Sequence, residues 1–270
     1  MTRLRIAALG SSFAAGPSIE PLDNLPAQRS ERNYAHQVAS RLNADLTDLS
    51  VSGATLLNIL HEPHTVRTGE LFPPQLGSLP PDTNIVTLTA GGNDLGYSAG
   101  MIYDSVMADP DEEMRDVVEG LLQPPASTTT VVDDARQLTE RFVAVIDGIT
   151  AVAPKAKIYL VEYLAVFGPA SRTGAGTPLA QEAIGRYREQ ARRLAQAYRD
   201  AARARPGVEC VTVAEESEGH CVGSQSPWVT GFSMEMLVEG PVPYHPNLAG
   251  HEAVAELLLR RMQDDIGATK

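Results

Sequence analysis

Short apolar runs alternate with longer segments of helical periodicity along this chain, and this alternation constrains the fold more than any other feature. The runs are rich in Val, Ile, Leu and Thr, and they predict strands at Arg5–Leu9, Asp45–Val51, Asn84–Thr89, Lys157–Tyr163 and Val208–Val213. The predicted helices are Glu31–Leu42, Asp111–Leu122, Asp133–Val152, Pro178–Ala204 and Leu248–Asp265. Strands that alternate with helices form a parallel sheet with helices packed on it. The sequence therefore predicts an α/β fold.

The sequence shows no division into separate units. Its 270 residues contain neither a repeat of fixed period nor a stretch that reads as a linker between two units. A chain of this length can bury a large core without disulfides or metals to hold it together. We therefore expect a single domain over residues 1–270.

The charge balance excludes some classes of partner. The chain has 22 Lys and Arg against 34 Asp and Glu, a formal net charge of −12. Nucleic acids are bound mainly by clustered Lys and Arg that neutralise phosphates, so no nucleic acid partner is expected. No apolar run approaches the ~20 residues of a transmembrane helix, so no membrane span is expected. Cys210 and Cys221 are too few for a disulfide framework, and they could form one bridge or remain free thiols.

The N-terminus imitates a signal peptide, with Arg3 and Arg5 at the start of a short apolar run. That run ends at Leu9 and is shorter than the usual apolar region of a signal. We interpret it as the first strand, since it leads directly into the polar residues 10–16. Cleavage there would remove those residues, so we expect a cytoplasmic protein, or a secreted one if the chain is a mature form.

Four polar segments stand at the junctions of the predicted elements. Residues 10–16 (GSSFAAG) follow the first strand, 50–55 (SVSGAT) the second and 91–94 (GGND) the third, while 244–250 (YHPNLAG) open the last helix. Each segment alone could be an ordinary turn, because Gly, Asn and Ser are common turn residues. Ligands of parallel sheets bind beyond the carboxyl ends of the strands, however. Taken together, the segments predict a site at that edge.

The residue types in these segments are those that serine hydrolysis requires. A serine hydroxyl is a weak nucleophile until a base accepts its proton, and Ser12 and His245 can supply that pair. Attack on an ester creates an oxyanion, which backbone N–H groups and amide side chains stabilise. Gly53 leaves its N–H unshielded, and Asn93 offers a neutral donor.

These segments, in this chain order, resemble the SGNH or GDSL-type hydrolases, a family named for Ser, Gly, Asn and His in four blocks. The resemblance extends from Gly10 to Gly250. It implies a three-layer α/β/α fold of flavodoxin-like type with a central parallel sheet, and the hydrolysis of esters. It also implies Ser12 as the nucleophile, His245 as the base, and an oxyanion hole made by the Ser12 N–H, Gly53 and Asn93.

The first block departs from the family pattern. It is usually Gly-Asp-Ser, but here it is Gly10-Ser11-Ser12, and alignment with the block selects Ser12 as the nucleophile. The same segment loosely matches the G-x-S-x-G elbow of classical α/β-hydrolases. That fold places its nucleophile after several strands, whereas Ser12 follows the first, and the last Gly of the elbow is Ala14 here. The GDSL-type resemblance is therefore favoured.

The fourth block departs more sharply. Most members carry an Asp three residues before the His, and here that position is Val242. A backbone carbonyl near Val242 could orient the imidazole in a Ser-His dyad, a carboxylate such as Glu239 or Glu235 could replace the Asp, or the enzyme could be weak. We favour the carbonyl, which can select the tautomer of His245 although it stabilises the imidazolium less than a carboxylate does.

The substrate is expected to be a small-molecule carboxylic ester with a short to medium acyl chain. Apolar residues in the predicted site loops suit an acyl chain better than a sugar: Leu56, Leu57, Ile59, Leu60, Leu95, Tyr97, Met101, Trp228, Phe232, Met234 and Met236. Two alternatives are a non-catalytic binding protein that retains the fold and an acetylesterase acting on carbohydrate. The sequence indicates no oligomeric state.

One further segment could suggest a metal site. His61 and His64 flank Glu62 and Pro63, but the proline and the lack of an i, i+4 histidine pair favour a surface loop. We therefore predict no metal and no cofactor.

Overall fold

The computed structural model describes residues 3–108, 132 and 134–268, and at its centre lies a parallel sheet of five strands. In chain order these strands are β1 (Arg5–Gly10), β2 (Asp45–Asp48), β3 (Ile85–Thr89), β4 (Lys157–Val161) and β5 (Val208–Val211). They lie in the order β2-β1-β3-β4-β5. All five predicted strands are confirmed, with ends that differ by a few residues.

Strand β1 lies inside the sheet between β2 and β3, and its side chains from Ile6 onward are buried on both faces. Such continuous burial is typical of a central parallel strand. Strand β2 ends at Asp48, earlier than the predicted Val51. The carboxylate of Asp48 accepts hydrogen bonds from the backbone N–H and the hydroxyl of Ser50, at 2.9 and 2.6 Å, and this local turn ends the regular strand.

Eight α-helices accompany the sheet in the part of the chain that the structure describes. They are α1 (Ser12–Ala15), α2 (Tyr34–Arg41), α3 (Leu56–Leu60), α4 (Tyr97–Ala108), α5 (Ala135–Val152), α6 (Gln181–Ala204), α7 (Val213–Glu216) and α8 (Leu248–Ala268). The predictions for α2, α5, α6 and α8 are confirmed. The helix predicted at Asp111–Leu122 lies outside the described residues, as does Asp133 at the start of another.

Helix α5 shows why the periodicity was informative. Its buried side chains recur at helical spacing along one face: Leu138, Phe142, Val145, Ile146 and Ile149. Asp134 caps its first turn, because its side chain accepts a hydrogen bond from the backbone N–H of Arg136.

Helices α3 and α4 occupy segments that the sequence analysis assigned to site loops. Helix α3 begins with a capping box in which Thr55 and Asn58 each accept the other's backbone N–H. Helix α4 contains Gly100, yet its Tyr97, Met101 and Val106 are buried on one side of the helix. Packing against the core outweighed the low intrinsic helix propensity of these residues.

The helices form two groups that cover the sheet. Helix α2 packs against α8, while α5 packs against α3 and α6. The result is the three-layer α/β/α arrangement that was expected. Strand β2 lies on one side of β1. Strands β3, β4 and β5 follow one another on the other side of β1, so the direction in which strands are added reverses between β2 and β3. The crevice beyond the carboxyl ends of β1 and β3 is therefore the position where open α/β sheets bind ligands.

The structure bears on two expectations, which concern a disulfide bridge and a membrane span. Cys210 and Cys221 are free thiols, so the alternative of a bridge between them is not the one adopted. Among residues 3–108, 132 and 134–268, no helix combines the length and the apolar character needed to cross a bilayer.

Candidate active site

The four polar segments meet at the crevice beyond β1 and β3. Ser11 and Ser12 follow β1 directly, and the N–H of Ser11 donates to the carbonyl of Thr89 at the end of β3, at 2.9 Å. On the other side, the N–H of Val51 donates to the carbonyl of Gly10 at 3.1 Å. The chain beyond β2 is thus held against the first block. Residues distant in sequence converge here because the strands that carry them are neighbours.

Ser12 and His245 are in hydrogen-bond contact. The hydroxyl Oγ of Ser12 lies 2.8 Å from Nε2 of His245, and both side chains are buried. Ser11 has a different position, since its hydroxyl lies 2.7 Å from the hydroxyl of Tyr163 and is completely buried. Of the two neighbouring serines, only Ser12 contacts the histidine, in agreement with the alignment to the block.

The backbone carbonyl of Pro243 orients the imidazole of His245. Nδ1 of His245 lies 2.7 Å from that oxygen, which can only accept, so Nδ1 carries the hydrogen and Nε2 presents its lone pair to Ser12. Among the described residues no carboxylate lies within 4.0 Å of either ring nitrogen. Glu235 and Glu239, considered as substitutes for the missing Asp, are both exposed. The favoured carbonyl is present, one residue later than Val242.

Burial sets the proton affinity of His245. Desolvation lowers the pKa of its imidazole to about 4, although the hydrogen bond to Pro243 acts in the opposite direction. Phe13 contributes to this apolar environment, with its ring 5.1 Å from the imidazole and stacked on Tyr163 at 4.0 Å. The imidazole is therefore neutral at pH 7 and able to accept a proton.

The side chain of Asn93 contacts the turn that contains Gly53. One amide hydrogen of Asn93 is donated to the carbonyl of Ala54 at 2.9 Å, which leaves the second for another acceptor. Within the described part of the chain, the backbone N–H groups of Ser12 and Gly53 donate to no protein acceptor. The crevice that holds the Ser12–His245 pair therefore also contains N–H groups without a protein acceptor.

Comparison with known proteins identifies the group to which this arrangement belongs. The model of the GDSL-like Lipase/Acylhydrolase family matches residues 8–253, a span that includes all four polar segments. The chain belongs to this family. It is a carboxylic ester hydrolase.

Relatives of this GDSL-like hydrolase agree with the assignment. It is 30% identical over 265 residues to "Lipase 2" of Streptomyces coelicolor, covering 92% of this chain and 82% of the relative. Phospholipase A1 from Streptomyces albidoflavus NA297 superposes with a TM-score of 0.74 at 20% identity, covering 96% of this chain and 99% of that one. An extracellular lipase from Streptomyces rimosus gives 0.71 at 20% identity, with 95% and 99% covered. These two structures share the three-layer fold.

The GDSL-like site contains an acidic residue whose role the sequence did not indicate. Asp94 is completely buried, and its carboxylate accepts hydrogen bonds from the N–H of Leu56 at 3.0 Å and from Arg141 at 2.7 Å. Desolvation raises the pKa of Asp94. Asp94 thus connects the Asn93 segment to the first turn of α3, next to Gly53. The sequence signal for this role was the position of Asp94, directly after Asn93 in the GGND segment.

Thr230 is a second residue of the hydrolase site that sequence reasoning missed. Its hydroxyl donates to the carbonyl of Val242 at 2.7 Å and accepts from the N–H of His245 at 3.1 Å. Tyr244 anchors the same loop, because its buried hydroxyl contacts those of Ser105 at 2.6 Å and Thr177 at 2.7 Å. No local sequence pattern predicts these contacts, because they join residues that are far apart in the chain.

The residues predicted to line an acyl site differ in their exposure. Five of its members are buried in the core of this hydrolase: Leu56, Ile59, Leu95, Tyr97 and Met101. Helices α3 and α4 turn most of them inward. The other six are partly exposed: Leu57, Leu60, Trp228, Phe232, Met234 and Met236.

Proposed function

We propose that this hydrolase is a single-domain serine esterase that cleaves carboxylic esters of short to medium acyl length through a Ser12–His245 dyad. The observation that carries the proposal is the 2.8 Å contact between Ser12 Oγ and His245 Nε2, with Nδ1 held on the Pro243 carbonyl. This geometry supports transfer of the serine proton to the imidazole as the hydroxyl attacks.

The reaction has two halves. Ser12 Oγ attacks the ester carbonyl while Nε2 of His245 takes its proton, and the resulting oxyanion is stabilised by the Ser12 N–H, the Gly53 N–H and the Asn93 amide. The imidazolium then protonates the departing alkoxide, which leaves an acyl group on Ser12. Water attacks this acyl-enzyme with His245 again as base, and the acid is released.

The contacts near His245 support an acyl substrate. Phe232 is partly exposed, and its ring stacks on that of Tyr244 with centroids 6.0 Å apart. Trp228 is also partly exposed and lies two residues before Thr230. Apolar side chains next to the loop that carries His245 suit a hydrocarbon chain, because its burial is favourable at about 0.8 kcal/mol per CH₂ group.

The cellular location of the enzyme also belongs to the proposal. The cytoplasmic expectation gains no support from the relatives, and the Streptomyces rimosus lipase is described as extracellular. A secreted enzyme is the alternative that this relative favours. Fractionation of the producing cells, with activity assayed in culture medium and lysate, distinguishes the two locations.

Covalent labelling and ester hydrolysis test the proposed chemistry. A fluorophosphonate probe should label the wild-type protein and the Ser11→Ala variant, but not Ser12→Ala, because only Ser12 contacts His245. Rates on p-nitrophenyl esters should be highest at short to medium acyl lengths. Absence of labelling in the wild type would indicate a binding protein, and activity confined to acetylated sugars would indicate a carbohydrate esterase.

A further inference from the structure

Gly53 lies in a tight turn whose central peptide can adopt either of two orientations. The N–H of Ala54 donates to the carbonyl of Val51 at 3.1 Å, so Ser52 and Gly53 are the central residues of a β-turn. Gly53 has a φ of 85°, and Ser52 is not among the residues with positive φ. These values define a type II turn, in which glycine is preferred at the third position.

The central peptide of this turn carries both a fixed acceptor and a potential catalytic donor. The carbonyl of Ser52 and the N–H of Gly53 belong to one planar trans peptide, so they point in opposite directions. Type I and type II turns differ chiefly by a flip of this peptide. Whatever holds the oxygen of Ser52 in place therefore also sets the direction of the Gly53 N–H.

His64 holds that oxygen. Its Nε2 lies 3.0 Å from the carbonyl oxygen of Ser52, and since a carbonyl only accepts, Nε2 carries the hydrogen and donates it. The ring packs closely on the turn, because a Cβ added to Gly53 would lie 3.1 Å from the same nitrogen. Desolvation lowers the pKa of the His64 imidazole and so favours its neutral form.

His64 is itself anchored by groups outside the catalytic residues. The Asn58 side chain donates to the carbonyl of Pro63 at 3.1 Å, which ties the preceding residue to helix α3. His64 and Thr65 also pair with Leu71 and Phe72 in a two-stranded antiparallel ribbon. The imidazole thus reaches the turn from a rigid support, contrary to its interpretation as part of a simple surface loop.

We propose that His64 is a positioning residue for the oxyanion hole: its Nε2–H holds the Ser52–Gly53 peptide in the type II orientation, so that the Gly53 N–H faces the developing oxyanion. This inference rests on the proposed function of Gly53. The hydrogen bond to the Ser52 oxygen also polarises the peptide and makes the Gly53 N–H a stronger donor. In the described part of the chain, no hydrogen bond joins His64 to Ser12 or His245, so His64 would act through the turn.

Three variants test the proposal on a p-nitrophenyl ester and on fluorophosphonate labelling. His64→Ala should lower kcat about 10- to 100-fold, less than the ~10²- to 10³-fold cost of deleting a donor outright, with KM nearly unchanged. His64→Gln should recover most of the loss, because its amide Nε2 can donate at a similar reach. His61→Ala is the matched control: it lies in the same loop, is exposed, and should behave as the wild type.

The labelling rate of Ser12 should fall with kcat in His64→Ala and recover in His64→Gln, since the phosphonyl oxygen uses the same donors. Unchanged kcat in His64→Ala would overturn the positioning role while leaving the proposed function intact. So would equal losses in His64→Ala and His64→Gln that follow a lowered Tm, because these would indicate a structural role. A wild-type protein that neither hydrolyses esters nor reacts with the probe would overturn both proposals.

Discussion

Nδ1 of His245 lies 2.7 Å from the carbonyl oxygen of Pro243, two residues earlier in the same loop. The intervening Tyr244 makes this possible, since its φ of 58° bends the chain back on itself. A non-glycine residue rarely adopts that conformation without compensation. Here the compensation is burial of the Tyr244 ring and the contacts of its hydroxyl with Ser105 and Thr177. The loop supplies the orienting group that an Asp supplies in most of the family.

The pH profile should reveal the burial of His245. Its imidazole must be neutral to act as the base, and burial lowers its pKa to about 4 from the ordinary 6.5. We expect kcat/KM to be unchanged as the pH falls from 7 to about 5 and to decrease as it passes through about 4. Rates on a p-nitrophenyl ester, with circular dichroism at each pH to confirm folding, would measure this. An acid limb centred near 6.5 would contradict it.

Asn93→Ala should lower kcat by about 10²- to 10³-fold, because it removes the proposed oxyanion donor, which would act mainly in the transition state. KM should change little, since the ground-state ester carbonyl interacts weakly with the amide. Steady-state kinetics on a p-nitrophenyl ester would separate the two constants. If kcat stays at the wild-type value, Asn93 is not an oxyanion donor, and its bond to Ala54 is only structural.

Thr230→Val should impair both stability and catalysis. The change keeps the shape of the side chain but removes the hydroxyl that bonds Val242 and His245. Leaving these groups unpaired should cost about 1–3 kcal/mol in the free energy of unfolding. Loosening of the His245 loop should also lower kcat about tenfold or more. Urea unfolding and steady-state kinetics would test this, with Thr230→Ser as a control that should stay close to the wild type.

Arg141→Met should destabilise the protein by about 3–5 kcal/mol, because it leaves the carboxylate of Asp94 buried without its charged partner. Arg136→Met is the matched control on the same helix. Arg136 forms an exposed ion pair with Glu140, which should contribute less than about 1 kcal/mol. Urea unfolding of the two variants measures the difference, and equal losses would show that burial of Asp94 does not matter.

The limits of sequence reasoning are clearest at α4. Its residues Tyr97, Met101 and Val106 are buried against the core, yet the sequence analysis assigned Tyr97 and Met101 to a loop of the site. Patterns in a single sequence reflect the structural propensity of neighbouring residues, whereas this helix is stabilised by its packing against the core. The strands were easier to predict, because a buried parallel strand is a continuous apolar run whatever its neighbours are. The same reasoning could not detect Thr230 or His64, whose partners are known only once the chain has folded.

The sequence by itself determined the α/β alternation, the four polar segments and the chemistry that their residue types allow. Those properties depend on side-chain type and on spacings of a few residues. Tertiary structure decided which serine contacts the base, since Ser12 and His245 are 233 positions apart and Ser11 is turned toward Tyr163. It also decided that, among the described residues, a carbonyl and not a carboxylate contacts Nδ1 of His245. Backbone carbonyls are present at every residue, so only the path of the folded chain can select the one at Pro243.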